Sequence, residues 1–366
     1  MVSKIHVVLV GPSLDILGGQ SIQLKRILEK LSDNPSLEVI FLPVNPRLPG
    51  VLRHLQSVKY VRTIITSIVY YFLLMLRILR ADVVHAFSAS YWSFLLAPVP
   101  AIIVCKLFRK HVVLNYHSGE AEDHLSNWRS AKFFLRFCDD IVVPSDYLVD
   151  VFKRHGFSAI AVPNFIEIEQ FPYRERRELQ PIFFSNRNFQ EHYNVSCILR
   201  AFSRIQAQLP HARLVIAGDG PLRERLHNEA SSLGLRDVQF VGSVPPERMP
   251  LVYDQADVYL NASDIDNMPI SILEAAACGL PMVSTDAGGI PYIMQHGKTG
   301  LMVPCNDDEA LAREALRLFT DPGLASRLAS AARSEVLAQY TWDSVESGWL
   351  AIYRQAERHK YGRKIL

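Results

Sequence analysis

The chain has few cysteines, a modest share of charged residues, and neither a short repeat nor a low-complexity segment. Its five cysteines are odd in number and scattered, and no CxxC pair occurs. This argues against a disulfide framework or a structural zinc site and favours a reducing compartment. Charged residues make up 21% of the 366 residues and hydrophobic residues 49%, which indicates large buried cores rather than disorder. No cleavable leader is evident, so we expect a cytoplasmic protein. The length predicts about two domains.

The net charge of +2 is unevenly distributed. Residues 4–110 contain 13 Lys and Arg against 5 Asp and Glu, and they include the uncharged, mostly apolar run 63–76. Fourteen residues are fewer than the roughly 20 that span a bilayer. Two interpretations remain, and each can hold for one face of the helix: a buried helix on a parallel sheet, or a helix partly in an anionic membrane interface. The basic residues that would face the headgroups are Arg53, Lys59, Arg62, Arg77 and Arg80.

Short apolar runs alternate with helical patterns along the whole chain. The runs of the first half are 5–11, 37–44, 82–87, 111–117, 140–145 and 160–163. Those of the second half are 181–186, 212–220, 238–244, 256–263, 280–285 and 301–305. Nearly continuous apolar strands with helices between them indicate parallel sheets covered on both faces. The sequence therefore predicts an α/β protein of two doubly wound domains, joined through the polar, proline-containing segment 164–180.

Two acids, Asp266 and Glu274, stand eight residues apart in the stretch SDIDNMPISILEAAACGLP. Pro269 suits the first position of a helix, and Asp266 and Asn267 suit positions just ahead of one. Asp266 would therefore lie in the loop that precedes a helix, and Glu274 would project from within that helix. A buried amphipathic helix with an ordinary cap would show the same spacing.

The start of that helix is a candidate anion site. The backbone N–H groups of Ile270 and Ser271 would point out of the helix N-terminus, where the helix dipole also favours negative charge. An acid would lie on either side of it. A nucleotide sugar suits this arrangement, because its diphosphate would take the helix N-terminus and its ribose and sugar hydroxyls would each meet one carboxylate.

These motifs resemble those of the family-4 retaining glycosyltransferases of the GT-B fold. The resemblance runs from about residue 4 to about residue 350 and is strongest over residues 181–305. The family carries two glutamates separated by seven residues; Glu274 matches the second, and Asp266 takes the place of the first. The resemblance implies two Rossmann-like, doubly wound parallel-sheet domains that face each other across a cleft. The implied parts are an acceptor-side domain 1–165, a donor-binding domain 166–340, and a helix 341–366 that crosses back, with Tyr340, Trp342, Trp349 and Tyr353 as aromatic anchors.

The same resemblance implies roles for residues that follow strands. Arg187 would bind the donor diphosphate, and His192 stands where the family has a second phosphate-binding group, a lysine. His117 would contact the transferred sugar, and Gly18 and Gly19 would lie near the donor phosphate and the acceptor. A surface ion pair for Arg187 and a structural hydrogen bond for His117 are the alternatives. The residues that would flank the base, largely through backbone groups, are Gly242, Ser243 and Val244.

The implied function is transfer of a sugar, with retention, from a UDP- or GDP-linked donor. The acceptor would be a glycan or lipid-linked precursor of a cell-surface polysaccharide at the inner face of the membrane. No metal or cofactor is expected, because the helix dipole and basic side chains would neutralise the leaving diphosphate. The alternative is a non-catalytic GT-B scaffold or partner protein at the membrane, which His192 in place of lysine keeps open.

Other classes of protein are disfavoured. The segment Gly218-Asp219-Gly220-Pro221 suggests a dinucleotide fingerprint, but its third glycine would fall at Arg223. We therefore expect these glycines to be mainly architectural and do not expect a NAD-dependent enzyme. A phosphorylase would need a cofactor lysine site and a longer chain. Nucleic-acid binding lacks a clustered basic and aromatic module.

Overall fold

The computed structural model describes residues 4–15, 18–48 and 58–362, without the side chains of residues 59, 60, 322 and 358–362. Arg53 and the side chain of Lys59, both predicted to face a membrane, lie outside this part. The contacts of the chain divide it into two compact units, Met1–Pro163 with Val345–Leu366, and Asn164–Ser344. The predicted boundaries, after residues 165 and 340, differ from these by two and four positions.

The first unit is a six-stranded parallel sheet covered by helices. Its strands are β1 (Ile5–Gly11), β2 (Leu37–Pro43), β3 (Val83–Ser88), β4 (His111–Tyr116), β5 (Asp140–Val143) and β6 (Ile160–Ala161). Its helices before β7 are α1 (Gly19–Ser32), α2 (Lys59–Ile78), α3 (Tyr91–Leu96), α4 (Pro98–Leu107), α5 (Ala121–Asn127), α6 (Arg129–Leu135) and α7 (Asp146–Arg154). The strand order is β2-β1-β3-β4-β5-β6. The order reverses beside β1, which is the place where ligands bind in such sheets.

The second unit repeats the scheme. Its strands are β7 (Ile182–Ser185), β8 (Arg213–Ala217), β9 (Val238–Gly242), β10 (Val258–Asn261), β11 (Met282–Thr285) and β12 (Leu301–Val303). Its helices are α8 (Val195–Gln208), α9 (Arg223–Ser232), α10 (Met249–Asp254), α11 (Ile270–Ala277), α12 (Asp308–Thr320) and α13 (Pro322–Gln339). The order β12-β11-β10-β7-β8-β9 reverses between β10 and β7. A last helix, α14 (Trp342–Gly362), begins in this unit and from Val345 belongs to the first.

Each of the twelve predicted apolar runs contains one strand, and the second sheet shows why they are apolar throughout. Successive side chains of a strand point to opposite faces of the sheet. Phe183 packs in a cluster with helices α8 and α12, whereas Phe184 packs in a second cluster with α11. Val258 and Tyr259 divide between the same two clusters. Both faces of β7 and β10 are therefore buried, so these strands lack polar alternation, and only their last residues, Ser185 and Asn261, are polar.

Helix α2 confirms the core-helix interpretation of the apolar run 63–76 for one of its faces, and the membrane interpretation stays a prediction. One row of its side chains, including Tyr70, Leu74 and Ile78, is buried in a cluster with the sheet and α4. Another row, including Ile68 and Phe72, is exposed. Among the described residues, Val61–Ile78 is the one helical window long and apolar enough to cross a membrane, by length and composition alone, with a mean hydropathy of 1.6. The run is thus a core helix on one side and an apolar surface on the other.

The segment 164–180, which the sequence predicts to be a linker, is bound to the second unit. Arg176 is only 4% exposed and donates to the carbonyl oxygens of Ala256 at 2.9 Å, Cys278 at 2.6 Å and Tyr253 at 3.0 Å. Arg174 donates to Asp257 at 2.7 Å. Carbonyl groups at the ends of helices lack helical partners, and a guanidinium group can satisfy several of them at once. Of the charges that suggest an exposed hinge, Arg176 is thus a buried cap and Arg174 a partly exposed one.

Replacement of Arg176 by Met should destabilise the second unit by about 3–5 kcal/mol, because the buried carbonyl groups would lose their donor and Asp257 would lose one of its two ion-pair partners. Urea unfolding followed by circular dichroism measures the change. The control is Arg177→Met, since the neighbouring Arg177 side chain is 82% exposed and should contribute little. Equal stability of the two variants would show that Arg176 does not hold this segment in place.

Candidate functional site

The two acids of the central motif take the positions that the sequence predicts. Asp266 lies in the loop between β10 and α11, and Glu274 lies within α11. Helix α11 begins at Ile270, so that Pro269 precedes the helix by one residue and is not its first residue as predicted. The Asp266 carbonyl accepts from the Gly289 amide at 3.1 Å, and a Cβ on Gly288, where φ is +51°, would collide with that carbonyl. The turn at 288–289 therefore fixes the backbone of Asp266.

Arg187 follows β7 and forms an ion pair with Asp266. The side chains are 10% and 11% exposed, so this is not the surface ion pair considered as the alternative. Arg187 Nη1 donates to Ser271 Oγ at 3.3 Å, and its guanidinium carbon lies 4.1 Å from the centre of the Tyr193 ring. Burial acts to lower the pKa of Arg187, but Asp266 and the neighbouring tyrosines together outweigh it, and the pKa is raised. A permanent cation thus lies beside the first turn of α11.

Glu274 is buried and meets a tyrosine that the sequence analysis assigns no role. The Tyr253 hydroxyl lies 3.2 Å from Glu274 Oε2 and 3.2 Å from the Ser271 carbonyl oxygen, and it donates to these acceptors. It accepts from Asn186 Nδ2 at 2.8 Å. Burial, together with the nearby Glu274 carboxylate, raises the pKa of Tyr253. Tyr253 therefore keeps its proton and orients Glu274. The sequence offers a signal for Asn186 as a site residue, because it precedes Arg187 at the end of a strand. It offers none for Tyr253, which has the pattern of a core residue.

Two buried polar atoms near this cluster lack hydrogen-bond partners within the part of the chain that the structure describes. They are Asn186 Oδ1 and Arg187 Nε. Buried polar groups in folded proteins are nearly always paired, and exceptions often mark places where water or a ligand completes the network. Arg187 therefore has a donor available in addition to those that bind Asp266 and Ser271.

His192 lies next to the same cluster. Its carbonyl oxygen accepts from the amides of Asp264 at 2.8 Å and Ile265 at 3.3 Å, which ties it to the loop that carries Asp266. Its ring centre is 4.1 Å from that of Tyr193. The structure thus places His192 close to Arg187 through Tyr193, and its contact with phosphate stays a prediction.

The glycines after β8 and β9 shape the surroundings of Arg187. Gly218 and Gly220 have φ of +149° and +156°, and a Cβ on either would collide with the backbone of residues 187–189. The Gly218 amide donates to the Gly242 carbonyl at 2.9 Å. These glycines allow the loop of Arg187 to pack closely on two strand ends. Gly242, Ser243 and Val244 lie in the loop where β9 ends, and their role beside a base stays a prediction.

In the first unit, His117 directly follows β4, Gly18 and Gly19 lie where α1 begins, and contacts of both segments meet at Ser88, the last residue of β3. The Ser88 carbonyl accepts from the His117 amide at 3.1 Å and from Gln20 Nε2 at 3.0 Å. Gly18 and Gly19 mark the start of α1, and within the described part of the chain no atom beyond its sequence neighbours lies within 4 Å of a Cβ added to Gly18. His117 and the glycine loop therefore share one edge of the first sheet.

His117 ends a column of stacked rings. It stacks on Phe87 at 5.4 Å, Phe87 stacks on His85 at 4.9 Å, and His85 stacks on Trp349 of α14 at 4.8 Å. The hydroxyl of Tyr353, also on α14, lies 2.7 Å from His85 Nδ1. Burial lowers the pKa of His117 to about 4, and burial together with His117 lowers that of His85 to about 3. Both imidazoles are neutral at pH 7, so His117 is suited to hydrogen bonding and does not carry a charge.

The described residues contain no group of three or more His, Cys, Asp and Glu arranged to hold a metal ion. The acids that follow His117 have other partners. Glu122 pairs with Arg154 at 2.6 Å and with His155 at 2.9 Å, and Asp123 accepts from the Tyr91 hydroxyl at 2.6 Å. The second unit brings Arg187, Asp266, Ser271 and Glu274 together, whereas Gly18, Gly19 and His117 belong to the first unit.

Comparison with known proteins places this fold and site in a class. The family model described as "Glycosyltransferase Family 4" matches residues 17–170, and the one described as "Glycosyl transferases group 1" matches residues 167–335. The glycogen synthase of Mycobacterium tuberculosis is 26% identical over 298 residues, which is 76% of this chain and 70% of that protein. A GDP-mannose-dependent phosphatidylinositol monomannoside mannosyltransferase of Mycolicibacterium smegmatis is 33% identical over 153 residues, 40% of each chain.

Solved structures agree on the fold. The sucrose-phosphate synthase of Thermosynechococcus elongatus has a TM-score of 0.77 at 18% identity, over 97% of this chain and 100% of that one. Anabaena HepE, solved with UDP-glucose, has a TM-score of 0.73 at 16% identity, over 98% of this chain and 100% of that one. The fold is that of the GT-B glycosyltransferases. The chain belongs to glycosyltransferase family 4.

The stability of the first unit should fall as the pH falls from 7 to 5. The pKa values of His85, His117 and His124 are lowered to about 3, 4 and 4, while unfolded histidines titrate near 6.5. In this range the unfolded state binds more protons, and each histidine costs up to about 1.4 kcal/mol of stability per pH unit.

Urea unfolding at pH 5, 6 and 7 measures this slope. Tryptophan fluorescence is a suitable probe, since Trp92, Trp128 and Trp349 lie in the first unit and only Trp342 in the second. His85→Phe keeps a ring in the column and should reduce the slope by about a third. The control His211→Asn alters an exposed histidine and should leave the slope unchanged. A slope insensitive to His85→Phe would contradict the assignment.

Proposed function

We propose that this protein is a retaining glycosyltransferase that moves a sugar from a nucleoside diphosphate sugar to a glycan or lipid-linked acceptor in the assembly of a cell-surface polysaccharide. One observation carries the proposal. In a chain of family 4, a buried arginine lies beside the N-terminus of α11, where it pairs with the first acid of the family motif. This is a site for an anion with hydroxyl groups on either side.

The roles follow from the positions of the groups. Arg187 and the amides of Ile270 and Ser271 would hold the diphosphate, and His192 would add a weaker contact. Glu274, oriented by Tyr253, would accept hydrogen bonds from ribose hydroxyls. Asn267, buried in the loop next to Asp266, would help to shape the site.

The chemical step requires stabilisation of the leaving diphosphate. Arg187 and the dipole of α11 provide positive charge in a largely buried place, where it acts most strongly, and we propose that they suffice without a divalent ion. Asp266 would bind the transferred sugar. Neutral His117 would donate a hydrogen bond to one hydroxyl of that sugar or accept a hydrogen bond from it. Retention of configuration is proposed from the family motif at Asp266 and Glu274.

The base of the donor is proposed to be uracil or guanine. HepE was solved with UDP and with UDP-glucose, and the mannosyltransferase is GDP-mannose-dependent. The base would lie against Gly242, Ser243 and Val244, where backbone groups make most of the available contacts. A non-catalytic scaffold remains the second candidate, and the replacement of lysine by His192 favours it.

Nucleotide binding tests the donor proposal. Among UDP, GDP and their sugars, at least one should bind the wild-type protein and raise its melting temperature by mass action, and its sugar should be hydrolysed slowly or transferred. Glu274→Ala should weaken binding of that nucleotide about 10–100-fold, because a charged hydrogen bond is worth roughly 1.5–3 kcal/mol. Arg187→Ala should weaken the diphosphate far more than the bare nucleoside. Calorimetry measures both.

The control for these variants is Glu309→Ala, an exposed acid of α12 in the same unit, which should bind as the wild type does. Wild-type affinity in Glu274→Ala would refute the ribose assignment. Nucleotide binding without any hydrolysis or transfer would favour the scaffold.

We also propose that the protein acts at the inner face of the cytoplasmic membrane, through an apolar face of the first unit formed by α2, α4 and α6. These helices are neighbours, since Tyr70 of α2, Ile102 of α4 and Phe134 of α6 pack in one cluster. Their exposed apolar residues are Ile64, Ile68, Phe72, Met75, Leu76, Ile103, Leu107, Phe133 and Phe137. Residues 58–110 contain seven Lys and Arg and one acid, Asp82. Apolar side chains flanked by cations fit an anionic lipid surface.

Co-sedimentation with liposomes tests this face. Binding should require anionic lipid and should fall with added salt, because each basic residue contributes about 1 kcal/mol near such a surface. Replacement of the exposed Arg62, Arg77 and Arg80 by Ser should release the protein. Replacement of Ile68 and Phe72 by Ser should weaken binding to anionic liposomes as well.

The matched control is Leu251→Ser in the second unit, since Leu251 and Phe72 are each 63% exposed. It should leave sedimentation unchanged. Equal sedimentation with neutral and anionic liposomes would indicate apolar insertion alone. No sedimentation at all would exclude a membrane role for the α2, α4 and α6 face.

A further inference from the structure

The ion pair between Arg187 and Asp266 joins two residues that the donor would need separately. Arg187 is the proposed ligand of the diphosphate, and Asp266 is the proposed ligand of the sugar. In the structure each is the other's partner, and both side chains are about nine-tenths buried. The pair lies beside the first turn of α11, because Arg187 also donates to Ser271 Oγ. The Asp266 carboxylate therefore lies where an external anion would be favoured.

The donors of Arg187 show which part of the group a phosphate would use. Nη1 donates to Ser271, Nη2 donates to Asp266, and the buried Nε has no partner among the described residues. Nε and Nη2 form one edge of the planar guanidinium, and such an edge binds two oxygens of a phosphate or carboxylate in parallel. A phosphate that takes this edge meets the carboxylate of Asp266 on Nη2.

Two anions on one buried cation repel each other strongly, since the low local dielectric does little to screen them. The backbone of Asp266 is held by Gly289 and by the close approach of Gly288. The carboxylate would therefore leave Arg187 by turning its side chain while the loop stays in place, which also changes the bond that its Oδ1 accepts from the Asn267 amide at 2.9 Å. The turned carboxylate would remain next to the proposed phosphate site, where we place the sugar of the donor.

We propose that Asp266 is a built-in counter-ion of Arg187 that the donor diphosphate displaces, and that the displaced carboxylate then binds the transferred sugar. The inference rests on the proposed nucleoside diphosphate donor. It makes Asp266 a specificity residue as well as a sugar ligand. When a free nucleoside diphosphate breaks the ion pair, the Asp266 carboxylate loses Arg187 and gains no new partner. A nucleotide sugar, in contrast, offers the carboxylate new hydrogen-bond donors in its sugar hydroxyls.

Removal of the charge at Asp266 tests the exchange. Asp266→Asn should bind inorganic pyrophosphate, UDP or GDP at least about tenfold more tightly than the wild type, because no carboxylate competes for Arg187. The affinity for the intact nucleotide sugar should not rise in proportion. The preference for the sugar over the free diphosphate should therefore shrink, and turnover should fall. Calorimetry with pyrophosphate measures the exchange without a contribution from the base.

Stability gives a second readout. Asp266→Asn leaves the buried Arg187 without its counter-charge, so the variant should melt at a lower temperature than the wild type. Pyrophosphate should restore more of the melting temperature in the variant than it adds to the wild type. A role of Asp266 in structure alone predicts the loss of stability but not this rescue.

The matched control is Asp264→Asn. Asp264 lies two residues away in the same loop, but its carboxylate accepts from Asn194 at 3.0 Å. The substitution changes the net charge equally and should leave pyrophosphate affinity close to that of the wild type. An equal gain in both variants would indicate a general effect of charge and would overturn the proposal. Unchanged or weaker pyrophosphate binding in Asp266→Asn, or no binding to either protein, would overturn it too.

A crystal structure of the wild-type protein with pyrophosphate gives an answer even if Asp266→Asn does not fold. An intact Arg187–Asp266 pair beside bound pyrophosphate would refute the exchange, and a turned carboxylate would support it. The proposed donor fails separately: if no UDP- or GDP-linked ligand binds the wild type, the proposed function is wrong. If one binds but Asp266→Asn gains no affinity for the diphosphate, only the exchange is wrong.

Discussion

A buried positive charge at the start of α11 is the constraint on which the second unit depends. An uncompensated guanidinium in the interior is costly, so its surroundings must supply a negative charge, hydrogen-bond acceptors and a π-face. Around Arg187, the negative charge comes from Asp266, the hydrogen-bond acceptor from Ser271 and the π-face from Tyr193. The glycine turns at 218–220 and 288–289 bring the backbone close enough for these contacts. The same arrangement that stabilises the cation is the one on which the proposed anion site depends.

The first unit uses neutral groups instead of charged ones. His117 ends a column of rings that continues through Phe87 and His85 to Trp349. Burial keeps the two imidazoles uncharged near neutral pH. The last helix of the chain therefore supports the histidine at the sheet edge of the first unit, although more than 200 residues separate them in the sequence. A positive charge on His117 would have to be formed in a place that disfavours it.

Charge patterns were less reliable guides than apolar patterns. The arginines of segment 164–180 suggest an exposed linker, yet Arg174 and Arg176 cap carbonyl groups inside the second unit. A guanidinium group on a long side chain satisfies several buried acceptors, so its charge does not by itself indicate exposure. The run 63–76 shows the opposite case, in which apolar residues are exposed. Its apolar composition is compatible with burial throughout, but one face of α2 is exposed.

The twelve strands were predictable, as were the positions of Arg187 and His117 after strands, of Asp266 ahead of α11 and of Glu274 within it. Hydrophobic periodicity and local turn chemistry act over a few residues, so they can be read from the sequence. The partners of these residues were not. Tyr253 meets Glu274 across 21 residues, Arg187 meets Asp266 across 79, and Tyr353 meets His85 across 268. Contacts of that kind leave no periodic signal in the sequence. The sequence by itself determined which elements form and which side chains stand at their ends. Only the tertiary structure decided that Arg187 and Asp266, the two proposed donor ligands, pair with each other, because a buried charge takes the nearest partner that packing brings to it.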